Sequence, residues 1–334
     1  MDNATALLAL VVLLGVAFEF VNGFHDAANA IATVVATRVL SPLQAILLAG
    51  VLNFVGALTG EAVARTVGAG IVDSTVVTQD IVVAALIAAI AWDLITFVAA
   101  LPTSSSHALI FGVIGAALSA HGLEIVIVGG LQKTTLGIVY SPSLALISGY
   151  ILMLAIYWLL RNVSYRFVNR FFGRAQILSS AYMAFSHGGN DGQKTMGVIA
   201  LALFAFNGNV GTFEVPTWVK LVCALSIGLG TATGGWRIIR TMGMRITALK
   251  PVNGFAAETA AATVIEVATR LGIPISTTHA ISGAILGVGA TRRLSAVRWG
   301  IAGRIVTAWV LTIPACFALG YGTATILRVI GVHP

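Results

Sequence analysis

The sequence predicts an all-α polytopic membrane protein built as an inverted-topology repeat, with broken helices and two Ser/Thr-tipped helical hairpins. Three observations carry this. Of 334 residues 58% are hydrophobic and only 9% are charged, against roughly 25% charged in soluble domains. A proline–hydroxyl–histidine motif occurs twice, 172 residues apart: Pro102-Thr103-Ser104-Ser105-Ser106-His107-Ala108 and Pro274-Ile275-Ser276-Thr277-Thr278-His279-Ala280. The basic residues are also distributed unequally between matching loops of the two copies.

So few charges could not keep a globule of this length hydrated, which excludes a soluble enzyme and a disordered regulator. The net charge of +7 is scattered among apolar runs rather than alternating with aromatics, so no nucleic-acid partner is expected. Cys223 and Cys316 lie far apart inside apolar segments and read as packing residues.

Apolar segments cover 4–37, 43–67, 77–120, 124–160, 175–206, 217–235, 253–290 and 299–330. A membrane-spanning helix needs about 20 such residues. The first run lacks the positive flank of a signal peptide and leads into a polar motif, so it is expected to stay in the mature protein. That motif, Asn22-Gly23-Phe24-His25-Asp26, aligns with His187-Gly188-Gly189-Asn190-Asp191 at a displacement of 165. Polar residues here interrupt the apolar run, and both helices are expected to be broken. Segments 77–120 and 253–290 each begin and end on one side and read as hairpins with the Ser/Thr motif at the turn. Proline closes the incoming arm, and hydroxyls cap the outgoing one. Residues 124–133 read as a short interfacial piece and 134–160 as one long helix kinked at Pro142, which Pro314 matches at the same displacement of 172.

Two halves follow, 1–160 and 175–334, joined by a basic linker at 161–174. Twelve of the 19 basic residues fall in three acid-free stretches: Arg161, Arg166, Arg170 and Arg174; Arg237, Arg240, Arg245 and Lys250; Arg292, Arg293, Arg298 and Arg304. The positive-inside rule assigns all three to the cytoplasm. Their repeat mates carry Asp73 and Asp80, or His121 and Glu124, instead. The repeats are therefore read as inverted, in the cell inner (plasma) membrane, with both termini outside and the linker cytoplasmic.

Charged residues within a membrane are costly and mark function by default. Inverted repeats, interrupted helices and midplane carboxylates are the architecture of secondary transporters, in which helix N-termini hold anions while carboxylates and carbonyls hold coupling cations. Carboxylates would repel an anion, so Asp26 and Asp191 are assigned to cations, with Asn22, His25 and Glu258 as further cation or proton ligands. Ser104, Ser105, Ser106, Ser276, Thr277, Thr278, Asn29, Asn190, Gln193 and Lys194 suit a small tetrahedral oxyanion. His107 and His279 are expected to donate hydrogen bonds that brace the turns. Glu19, Glu61, Asp93, Glu266 and Arg270 are read as further buried charges. An intramembrane hydrolase, with a motif serine as nucleophile, is the competing class. It is disfavoured because sequence neighbours on a helix diverge by about 100° and no nucleophile-elbow motif is present.

On Asn22-Gly23-Phe24-His25-Asp26-Ala27-Ala28-Asn29-Ala30, the two proline–hydroxyl–histidine motifs and His187-Gly188-Gly189-Asn190-Asp191, the chain resembles the inorganic phosphate transporter (PiT) family over essentially its whole length, as a compact prokaryotic member. The family pattern reads Gly-Ala-Asn-Asp-Val-Ala-Asn-Ala in both copies. Here His25 replaces an Asn, and Gly192-Gln193-Lys194-Thr195 replaces the last four residues. Both aspartates remain. The resemblance implies a non-enzymatic symporter that imports inorganic phosphate with a coupling cation and no other cofactor, and alternating access is expected. Two carboxylates among clustered neutral oxygens favour Na⁺ as that cation, and because membrane transporters of this size often pair, a homodimer is one possible assembly. H⁺ coupling, a metal–phosphate substrate and another tetrahedral oxyanion are the alternatives.

Overall fold

The computed structural model describes residues 3–332. The chain forms α1 (Asn3–His25), α2 (Ala27–Ala36), α3 (Pro42–Ala57), α4 (Ala62–Ala69), α5 (Gln79–Val98), α6 (Ser105–His121) and α7 (Val128–Leu159). It continues with α8 (Tyr165–Phe206), α9 (Thr217–Thr233), α10 (Trp236–Arg240), α11 (Pro251–Arg270), α12 (Thr277–Ala290) and α13 (Trp299–Val329). Among the described residues, four helical stretches are long and apolar enough to cross a membrane, Asn3–Ala36, Gln79–Val98, Val128–Leu159 and Trp299–Val329. Two bent pairs, α3 with α4 at 70° and α9 leading into the α10 region at 59°, would bring the number to six.

Element boundaries follow local chemistry. Ser41 caps α3 in a reciprocal box with Gln44, and Pro42 occupies its first turn. Hairpins α5–α6 and α11–α12 both form. Ser104 and Ser276 are the N-caps of the outgoing arms, each accepting from the backbone N–H of the following histidine at 3.2 Å. Pro142 and Pro314 lie inside α7 and α13. The helices pack through alanine and glycine, as is usual where helix association cannot draw on the hydrophobic effect.

Several expectations change. The polar motif of the first half interrupts its helix at one residue only, Asp26, with φ −93° and ψ 4°. Its counterpart is not interrupted, and α8 runs unbroken through His187–Asp191. The glycines there serve close packing: a Cβ on Gly188 would lie 2.2 Å from the Asn53 carbonyl oxygen, and one on Gly192 2.8 Å from Ala57 Cβ. Ion pairing between Asp191 and Lys194, one turn apart, further holds the helix closed. The linker is shorter than 161–174, because α8 already begins at Tyr165. Glu61, Glu266 and Arg270 are not core charges. Glu61 pairs with Arg65 and Lys220 at a partly exposed helix start, and Glu266 pairs with Arg270, which is 78% exposed.

Candidate functional site

The two hairpin turns meet. The rings of His107 and His279 stand perpendicular with centroids 4.5 Å apart, and Trp309 of α13 stacks on His279 at 3.8 Å. Trp309 Nε1 also donates to the Pro102 carbonyl at 3.0 Å, so one indole grips both turns. The histidines therefore brace the turns by ring packing and through their backbone amides. Both ring nitrogens of His107 and Nε2 of His279 lack a hydrogen-bond partner among the described residues. Ser105 does not pair with His107 either, so no hydrolytic dyad forms there.

Beside the turns, Asp26, His187 and Asp191 each place one ligand atom within 4.8 Å of the others. The cause of each position is local. Asp26 sits at the single interruption between α1 and α2, where its departure from helical geometry lets His25 Nδ1 reach its Oδ1 at 2.8 Å, although the two are sequence neighbours. His25 Nε2 contacts Thr96 Oγ1 at 3.1 Å, tying Asp26 to α5. His187 Nδ1 is 2.8 Å from Asn53 Oδ1, and Asn53 Nδ2 donates to Thr231. With its amide so committed, Asn53 offers an acceptor, so the His187 proton belongs on Nδ1. Nε2 then presents a lone pair 3.3 Å from Asp191 Oδ2.

Asp191 accepts from Thr277 Oγ1 at 2.8 Å and from the Lys194 ammonium. Lys194 also donates to Ser106 Oγ at 2.5 Å and to the Ile275 carbonyl at 2.7 Å, so it touches both turns. Asn29 donates to Thr277 Oγ1 at 3.1 Å and Thr278 Oγ1 at 2.9 Å, while Thr278 faces Asp26 Oδ2 at 3.4 Å. Asp26, Asn29, Asp191, Lys194, Ser106, Thr277 and Thr278 thus form one connected group. Ser104 and Ser276 join it as N-caps. Ser105 is buried there as well.

Four expected ligands lie outside that group or are otherwise engaged. Gln193, two residues past Asp191 and so roughly 200° around the helix, turns to α4 and accepts from the Val63 N–H at 2.9 Å. Asn190 donates to Thr269 on α11 at 2.8 Å. Glu258 is enclosed by Thr33, Ser179 and Gln176. The Asn22 backbone carbonyl accepts from the Asp26 N–H at 2.8 Å, and its side-chain oxygen is buried without a partner. His187 was absent from the expected ligands. Its signal was available, because it aligns with Asn22, which was assigned to the cation.

The side chains of the connected group, with those of His25 and His187, are at most 4% exposed. The cluster combines paired carboxylates, an imidazole lone pair, an ammonium, hydroxyls and the N-termini of α6 and α12. It can neutralise a small anion and a cation side by side and shut both from solvent. A buried cluster of ionisable and hydroxyl groups among helices of membrane-spanning length fits the class of membrane transport proteins.

Comparison with known proteins narrows the class. The sequence model of the phosphate transporter family matches residues 22–320, and the chain belongs to that family. It is 50% identical to a Rhizobium meliloti (strain 1021) protein named "Probable low-affinity inorganic phosphate transporter", over 94% of this chain and 95% of that one. A Bacillus subtilis (strain 168) protein of the same name is 43% identical over 99% and 100% of the two chains. Among solved structures, "The sodium-dependent phosphate transporter" superposes with a TM-score of 0.89 and 29% identity, covering 97% of this chain and 100% of that one.

Proposed function

We propose that the protein is a secondary active carrier that moves inorganic phosphate together with a cation, Na⁺ before H⁺, by alternating access. Phosphate sits between the opposed turns, where α6 and α12 direct their first N–H groups and hydroxyls inward. The cation sits among Asp26, His187 and Asp191. Its charge offsets the repulsion between phosphate and the carboxylates, so each ligand makes the other's binding favourable. The observation that carries this reading is the convergence of those three ligand atoms within 4.8 Å beside the two hydroxyl-lined helix starts. The sodium dependence named for the structural neighbour supports Na⁺. Complete burial of the group supports alternating access, since no ligand reaches it without the halves moving apart.

The internal repeat is supported by the recurrence of hairpin, short 3₁₀ turn (Leu123–Ile125 and Leu294–Ala296) and proline-bearing long helix in both halves, and its inversion by the ends at which the matching segments lie. Membrane orientation is supported by the basic residues. Arg161, Lys250 and Arg292, one from each acid-free stretch, line a single cavity and so lie at one end, proposed as cytoplasmic in the inner membrane. Asn3 and Val332 line another cavity together, and Arg328 donates to the Ser119 carbonyl near the far end of α6. Both chain ends are therefore proposed to lie outside.

Asp26→Asn tests the cation role. Labelled-phosphate binding to the purified variant is expected to lose most of its rise with Na⁺, while wild-type protein keeps it. An unaltered Na⁺ dependence in this variant would refute the assignment of Asp26.

A further inference from the structure

The two aspartates are not equivalent, and the difference lies in the residue one turn further on. At the displacement of 165 that aligns Asp26 with Asp191, Asn29 aligns with Lys194. The two mates make corresponding contacts across the molecule. Asn29 donates to Thr278 of the second turn, and Lys194 donates to Ser106, the matching residue of the first turn. The first position thus holds a neutral amide and the second an ammonium.

The surroundings of Lys194 are those of a bound cation. An ammonium has three N–H donors and no acceptor. All three are used, on the Asp191 carboxylate, the Ser106 hydroxyl and the Ile275 backbone carbonyl. One carboxylate, one hydroxyl and a carbonyl freed by a hairpin turn are the oxygen set that alkali cations take in transporters with interrupted helices. The side chain is only 3% exposed, so the charge is held in the dry interior rather than at its edge. With every N–H committed, the ammonium has none left over for phosphate. Asp26 receives no lysine or arginine: its partners are His25 and Thr278.

We propose that Lys194 is a tethered cation, occupying at Asp191 the place that Asn29 leaves open at Asp26 to a mobile ion, so that the carrier moves phosphate with one coupling cation fewer than its two carboxylates would otherwise hold. Two carboxylates carry two negative charges, and the Lys194 ammonium offsets one. A single mobile cation among Asp26, His187 and Asp191 then completes neutralisation. This deepens the phosphate–cation reading above and rests on it.

The test is phosphate binding by the full-length protein in detergent, measured over a range of Na⁺ concentrations with N-methylglucamine as the balancing ion. By linkage, the dependence of affinity on Na⁺ counts the ions taken up with phosphate. Below saturation a tenfold rise in Na⁺ should raise phosphate affinity about tenfold in wild-type protein and about a hundredfold in Lys194→Asn, which restores the residue of the first half. Weaker phosphate binding with the wild-type Na⁺ dependence would make Lys194 a phosphate ligand and overturn the proposal. Should Lys194→Asn not fold, Lys194→Gln, which keeps an N–H donor at that position but removes the charge, is measured in its place: a hundredfold dependence supports the proposal and a tenfold one overturns it. Wild-type binding that ignores Na⁺ contradicts the coupling reading itself. A tenfold dependence gained by Lys194→Asn would in that case still support the tethered cation, and no gain would overturn it.

Discussion

Asp191→Asn is expected to destabilise the protein by about 3–5 kcal/mol, the cost of stripping one partner from a buried ion pair. The reason is the Lys194 ammonium rather than the lost carboxylate. At 3% exposure it has no water to turn to, and its remaining acceptors, Ser106 Oγ and the Ile275 carbonyl, are neutral. An amide at 191 still accepts a hydrogen bond but no longer offsets the charge. Thr277, which donates to Asp191 Oδ2, loses a charged acceptor as well, and the second hairpin turn should loosen with it. Thermal or denaturant unfolding in detergent reads the loss. Adding Lys194→Asn should recover most of it, because the charge is then removed with its partner. A single variant as stable as wild type would show that the ammonium does not depend on Asp191.

A loss is also expected from Gly188→Ala, for a steric reason. Its Cβ would stand 2.2 Å from the Asn53 carbonyl oxygen and 2.5 Å from Asn53 Cα, backbone atoms that no rotamer can move aside. α3 and α8 must separate. Overpacking of this kind costs about 1–3 kcal/mol and more where backbone is struck, well above the roughly 1 kcal/mol that alanine gains over glycine in a helix. The consequence reaches the candidate site, since Asn53 is the residue that fixes the His187 ring. Gly173→Ala is the control. It lies in the same helix with nothing within 4 Å of the added methyl, and it should be neutral or slightly stabilising. Equal unfolding midpoints for the two variants would contradict this account of α8.

These two sites also show what could be read from the chain and what could not. The hairpins were legible because proline, a capping hydroxyl and an apolar arm on each side leave the backbone few alternatives. Their recurrence at one displacement raised the motif above coincidence. The state of the second polar motif was not legible. His187-Gly188-Gly189-Asn190-Asp191 has the composition of an unwound segment, yet its glycines are there because α3 approaches so closely, and only tertiary packing distinguishes the two uses. Likewise, Gln193 and Lys194 look like equivalent ligands in sequence, but one residue of helical rotation sends the first to α4 and the second to the turns. Glu258 was found as a buried acid, but its partners Thr33, Ser179 and Gln176 come from α2 and α8, far away in the chain.

Phosphate and a cation are proposed to share this buried site and to cross together. Proteoliposomes loaded with the purified protein, given labelled phosphate outside and a Na⁺ gradient directed inward, test it most directly. The account predicts concentrative uptake that collapses when the gradient is dissipated. Uptake that only equilibrates phosphate, or that follows an imposed proton gradient and ignores Na⁺, would contradict it.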